Sequence, residues 1–362
     1  MTPRPSTRPA PRDRRTLTAL RLAAQGIGRP TTDDPAEVVR GMLALQGQDY
    51  LGALWSVGLR TRTATEADVE AAHASGALVR SWPLRGTLHL VAAEDLGWML
   101  SLTGERAVRS SAARDRELGL DADDFARVAA IARERLAGDG RADRAELLEA
   151  FRDGGVATDG QRGGHLLGNL AFTGLIVLCG RTEYALLEEH VREPRRLEPD
   201  AAADELALRY FTGHGPATVR DLAWWSGLPL TFVRDATARV RDRLDAIEVD
   251  GVEYLMRTGL EPDGDGVHAL PGFDEYLLGY TDRAAALAPE YATTIVPGGN
   301  GMFFPTIVVR GEVVGTWKRE RARRVVRVTT SRFAPLSATA ERGFDAALRR
   351  YGRFLGRDVE LG

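Results

Sequence analysis

The sequence predicts an α+β chain: three tandem winged-helix units, then a small β-barrel-like domain closed by a C-terminal helix. Two observations carry this prediction. A pattern of helices followed by a hairpin recurs along the first two thirds of the chain, and after Pro262-Asp263-Gly264 it gives way to runs of β-branched residues. The clearest unit covers 199–262. Ala202–Phe211 reads as a helix, HGPATVRDLAWWSGL as a short helix starting near Thr218 and ending at Gly227, and PLTFVRDATARVRDRL as a recognition-type helix with Phe232, Val233, Ala236 and Val240 on one face. AIEVDGVEYLM then gives a hairpin, the wing, turning at Asp250-Gly251.

The unit at 116–198 repeats the pattern more weakly: helices at Asp123–Leu136 and Arg144–Phe151, a third in GQRGGHLLGNLAFTG, and a hairpin around Gly180-Arg181. The first unit, 14–115, begins near Thr16. Its helix Pro35–Leu45 carries Val38, Val39, Met42, Leu43 and Leu45, and Asp49 is placed to cap a second helix through Leu54, Val57 and Leu59. Helix Glu66–Ala74 and wing strands in LVRSWPLRGTLHLV complete it. From 263 to 362, VHALPGFDEYLLGY, FPTIVVRGEVVGTWKR and ARRVVRVTTSR read as strands, with a turn at Arg310-Gly311 or Gly311-Glu312. A final helix over about Ala338–Phe354 aligns Phe344, Leu348, Tyr351 and Phe354 on one face. Residues 1–13, rich in Pro and Arg and lacking an apolar core, read as a disordered basic tail rather than a signal peptide.

Composition excludes several classes. No apolar run approaches the ~18 residues of a membrane span. Cys179 is the only cysteine, which excludes an internal disulfide, and the six histidines lack metal-ligand spacing. A metal-free, cofactor-free cytoplasmic monomer, associated with the nucleoid, is the expectation. A net charge of −3 argues against a uniformly basic nucleic-acid binder, so a DNA surface needs segregated charge. Arg310–Arg332 supplies it, with eight basic residues against Glu312 and Glu320. Gly298-Gly299-Asn300-Gly301 is not a phosphate-binding loop, because no helix with Lys-Ser/Thr follows it.

The chemistry centres on Gln46-Gly47-Gln48, in the connection between two predicted helices. In an extended link, residues two apart share a face, so both amides can reach one water. An amide is no general base, so such a pair suits only a leaving group that departs easily, such as a nucleobase alkylated at a ring nitrogen. The local residues equally allow two glutamines that bridge backbone groups in a turn.

LALQGQD, RSWPLRGTLHLV (80–91), LPGFDEYLLGYTDR (270–283) and NGMFFPTIVVRGEVVGTWKR (300–319) together resemble the winged-helix DNA glycosylases of the AlkZ/YcaQ superfamily, over roughly 14–355 and in the family's order. Gln at the third motif position resembles the AlkZ-like branch, with Gly47 replacing a small aliphatic residue. The resemblance implies that Gln46 and Gln48 position the attacking water and stabilise positive charge at the sugar. It implies excision of alkylated bases, including cross-linked ones, from double-stranded DNA. Arg85, Thr87 and His89 alternate along a wing strand and are candidates to support the site, Arg85 by binding a flanking phosphate. Arg220, Arg234, Arg319, Arg321, Arg323 and Arg324 are candidate backbone contacts. Asp274-Glu275 looks like an acidic pair, but a structural role is favoured, because a fixed carboxylate repels phosphate. Lys318 is the only lysine and hence the only Schiff-base candidate, so monofunctional hydrolysis is preferred. The alternative of a different class is a non-catalytic winged-helix DNA-binding regulator.

Overall fold

The computed structural model describes residues 11–299, 301–323 and 325–362. The basic tail expected over 1–13 falls mostly outside these residues; Pro11 to Asp13 open the helix Pro11–Ala24. The chain forms two compact units, one made of the chain up to Val69 with Ala207–Gly362, the other of Glu70–Leu206.

The Glu70–Leu206 unit is built on antiparallel strands. Thr87–Ala92 pairs with Leu78–Leu84, which pairs with Ile176–Leu178, then Glu183–Leu186 and Ala142–Asp143. Helices Ala122–Leu136, Arg144–Asp153 and Arg162–Phe172 bury Val128, Leu147, Phe151, Leu166 and Leu170. Asp143 starts the second of these with a capping box to Glu146. The boundary expected at 115/116 is not one between compact units. The hairpin 78–92 and the hairpin 176–186 meet at Arg80 and Leu178, so each covers an edge that would otherwise stay unpaired.

His73 ties this junction together. Its ring is fully buried, with Nε2 3.0 Å from the Gly180 nitrogen and 3.2 Å from the Leu178 carbonyl oxygen. Burial, with a smaller push from Arg80, lowers its pKa from 6.5 to about 4. A lowered histidine pKa contributes stability that is complete above the unfolded value and is lost as pH falls from about 6.5 toward 4. Between pH 6.5 and 5 the loss is about 2 kcal/mol. Denaturant unfolding of this unit is expected to show that slope, and His73→Gln to flatten it; an unchanged slope in the variant refutes the assignment.

In the other unit, a sheet runs in the order Asp358–Leu361, Val325–Arg332, Glu312–Arg321, Thr306–Val309, Val267–Leu270, with only the first pair parallel. A bulge between Ile307 and Val308 bends it into a half-barrel. The helix Ala338–Leu355, capped by Ser337, buries Phe344, Leu348, Tyr351 and Phe354. The same unit holds helices Pro199–His214 (in part), Val219–Ser226 and Leu230–Arg239, and the hairpin Leu244–Val249/Val252–Arg257. Thr218 and Gly227 bound the short helix as expected, and Trp225 is buried while Trp224 stays partly exposed.

Three hairpins in the chain use one turn chemistry. Asp250-Gly251, Arg310-Gly311 and Arg85-Gly86 all carry positive φ at both positions, which matches the twist of the flanking strands. Arg310-Gly311 is thus the turn, and a Cβ at Gly311 would lie 2.4 Å from the Thr18 side chain.

Candidate active site

The predicted helix before the glutamines ends earlier than its apolar spacing suggests. It spans Pro35–Met42, capped by the Asp34 carboxylate. Buried Leu43 then takes φ 62° and ψ −56°, a strained turn for a branched side chain, and Ala44–Gln46 continue as a strand. Helix Tyr50–Gly58 follows Asp49 at once, so Gln46 and Gln48 sit between two anchored elements.

Gln46 is buried and Gln48 is exposed, and their amides bond directly: Gln46 Nε2 donates to Gln48 Oε1 at 2.6 Å. Reversing both amides preserves the bond, so the conclusion does not depend on which end is nitrogen.

The helix after the motif is apolar on all sides and buried from Gly52 to Gly58. Its Trp55 packs on Tyr351 and Phe354 at 5.0 and 5.1 Å, and Trp55 Nε1 donates to the Ala269 carbonyl. A Cβ at Gly58 would come 2.3 Å from the Phe354 ring, so glycine is required for that contact. From the helix end, Arg60 grips Asp274 with two hydrogen bonds of 2.9 Å, and the Ser56 hydroxyl donates to the same carboxylate at 2.7 Å. Glu275 accepts from Trp225 Nε1 at 2.9 Å and lies 3.4 Å from His214 Nε2. Asp274 and Glu275 are therefore structural, and the glutamine pair is fastened to the C-terminal half-barrel.

Asp49 occupies the N-cap position without capping through its side chain. Its carboxylate instead accepts from Arg319 Nη2 at 3.0 and 3.3 Å. Two residues along the same strand face, Arg321 bonds Glu66 at 2.6 and 2.9 Å. Both guanidinium groups, candidates for DNA phosphates on sequence, are thus already paired with carboxylates. Arg220, Arg234 and Arg323 are exposed, and Arg324 lies outside the described residues.

Arg85 and His89 belong to the Glu70–Leu206 unit. Arg85 is not on the strand with Thr87 and His89; it forms the turn with Gly86, at φ 52° and 64°. Arg-Gly between two apolar runs was the available signal, the same one that marked Asp250-Gly251. His89 is fully buried, with Nδ1 2.7 Å from the Thr87 carbonyl oxygen, so it is not a base presented to substrate. Asp49 and Glu66 are the partners that sequence reasoning missed, because nothing local links them to residues some 250 positions away. Among the described residues no group of three or more His, Cys, Asp or Glu could hold a metal ion, and no helix is long and apolar enough to cross a membrane.

A mixed α+β chain thus carries a paired-amide motif fastened to a C-terminal half-barrel. The family model for AlkZ-like DNA glycosylases matches residues 39–354, and the chain belongs to that family. It is therefore a hydrolase of N-glycosyl bonds that acts on DNA. The chain is 26% identical over 334 residues, covering 84% of its length and 87% of the relative's, to a protein of Streptomyces sahachiroi described as an interstrand DNA cross-link repair glycosylase. Its fold matches the solved Streptomyces sahachiroi DNA glycosylase AlkZ with a TM-score of 0.79 at 23% identity, over 96% of this chain and 99% of that one.

Proposed function

We propose that this chain is a monofunctional DNA glycosylase that removes bulky or cross-linked alkylpurines, foremost guanine adducts at ring nitrogen 7, from double-stranded DNA and leaves an abasic site. It works as a monomer. The direct Gln46–Gln48 amide bond carries the reading. A closed amide pair supplies oriented dipoles that can position a water but no group able to remove its proton. Such a pair suits a cationic leaving group, where orientation of the nucleophile and dipolar support of an oxocarbenium-like sugar suffice. The name of the Streptomyces relative supports cross-linked substrates.

The position of Lys318 supports hydrolysis without a lyase step. Neighbouring residues of a strand face opposite ways, so with Arg319 turned to Asp49, Lys318 points away from the motif, its Nζ 5.8 Å from the Phe304 ring. Three winged-helix units are the reading of the helical part, with Arg220, Arg234 and Arg323 as phosphate contacts.

The test is incubation of duplexes carrying N7-methylguanine or an N7-linked cross-link. Free base and an alkali-labile abasic strand are expected, with no borohydride-trapped covalent complex. Absence of base release from every alkylated duplex rules the proposal out, and a trapped complex rules out its monofunctional part.

A further inference from the structure

We infer that the Asp49–Arg319 ion pair is a positioning clamp, through which the C-terminal half-barrel fixes the Gln46–Gln48 amide pair in its working orientation. The inference rests on the proposed role of the two glutamines. Four observations lead to it. Asp49 follows Gln48 directly, at a helix N-cap where an aspartate would ordinarily bond the helix's own N–H groups, yet its side chain makes no such bond. The carboxylate is committed to Arg319, which is only 12% exposed and so is withdrawn from any phosphate. Arg319 stands on Glu312–Arg321, a strand with neighbours on both sides, and is thus rigidly placed. Gly52 makes room for the contact, since a Cβ there would sit 2.5 Å from Asp49 Oδ2.

These features give the clamp a physical purpose. The strained Leu43 turn lies on one side of the glutamines, and the capping bond that would fix the other side is absent. Gly47 between them adds backbone freedom. The hydrogen bonds from Arg319 Nη2 to both oxygens of the half-buried carboxylate supply the fixed point, because a charge-assisted donor held on a paired strand restrains where the carboxylate can sit. Arg319 is here a positioning residue, neither catalytic nor DNA-binding.

The experiment compares full-length wild type with Asp49→Asn, Arg319→Gln, the double variant and Gly52→Ala. Single-turnover base release from an N7-methylguanine duplex, affinity for undamaged duplex, and hydrogen–deuterium exchange of the peptide spanning 44–52 are measured. A clamp predicts that each single variant loses about 10- to 100-fold in rate. The double is no slower than the slower single, and duplex affinity is retained. Gly52→Ala is the control against simple structural loss: alanine favours the helix, yet the variant slows the reaction because it displaces the carboxylate. Exchange over 44–52 speeds up in all four variants. A phosphate-binding Arg319 gives the opposite signature, with weaker duplex affinity and a shallower salt slope in Arg319→Gln and no rate loss in Asp49→Asn. Wild-type rates in Asp49→Asn while Gln46→Ala is inactive overturn the clamp alone. If wild type releases no base at all, the glycosylase reading fails separately, and unchanged exchange in Asp49→Asn then overturns the clamp.

Discussion

Gln46→Ala is expected to slow single-turnover base release by about 10²–10³-fold, the loss typical of one preorganised polar group at a developing charge. Duplex affinity, measured by fluorescence anisotropy, is expected to stay within about twofold, because Gln46 is buried and contributes no charge to the phosphate term. Gln48→Ala removes the acceptor of the Gln46 amide, and its exposure lets solvent take the vacated hydrogen bond. Its rate loss is therefore expected to be smaller, and its stability unchanged. The double variant is expected to be no slower than Gln46→Ala, since residues that act as a unit are not additive. Retention of more than about a tenth of the wild-type rate in Gln46→Ala, on every substrate the wild type accepts, refutes the role.

The second large effect concerns stability. Asp274→Ala is expected to destabilise the unit that holds the glutamines by about 3–5 kcal/mol, because it leaves the Arg60 guanidinium charged and buried without its partner. Replacing both residues by hydrophobic ones, as in Arg60→Met with Asp274→Leu, is expected to cost much less or nothing. The pair has a pH signature. Burial raises the Asp274 pKa, but the charge and hydrogen bonds of Arg60, with Ser56 and the Tyr276 N–H, outweigh it and hold the carboxyl below its ordinary 3.8. A lowered carboxyl pKa contributes stability that is complete above the unfolded value and is lost as pH falls through the folded one. The gap between wild type and Asp274→Asn in urea unfolding should thus be widest near neutral pH and narrow as pH falls below the ordinary carboxyl value of 3.8. A gap that does not change with pH defeats the assignment.

Local sequence carried most of the secondary structure. Thr218 and Gly227 bound their helix, Asp250-Gly251 turned its hairpin, and the final helix presented Phe344, Leu348, Tyr351 and Phe354 as spaced. Two misreadings had local causes. Apolar spacing in Val38–Leu45 fits a continuing helix as well as a helix, a turn and a strand, and only packing selects the break at Leu43. Arg85-Gly86 was passed over as strand because the apolar run around it is unbroken in pattern.

The sequence by itself determined the glutamine pair, the segregated charge, the element types and the absence of metal-ligand spacing, because each is written in residue identity or in spacing of a few positions. Tertiary structure alone decided what the charged residues do. Arg319 and Arg321 looked like free cations on a basic strand until Asp49 and Glu66 were seen to hold them. Asp274 was expected to be structural, but only the fold shows that its partner is Arg60. An ion pair across 200 residues or more has no local period or cap to announce it; its partners are chosen only when strands and helices far apart in the chain pack together.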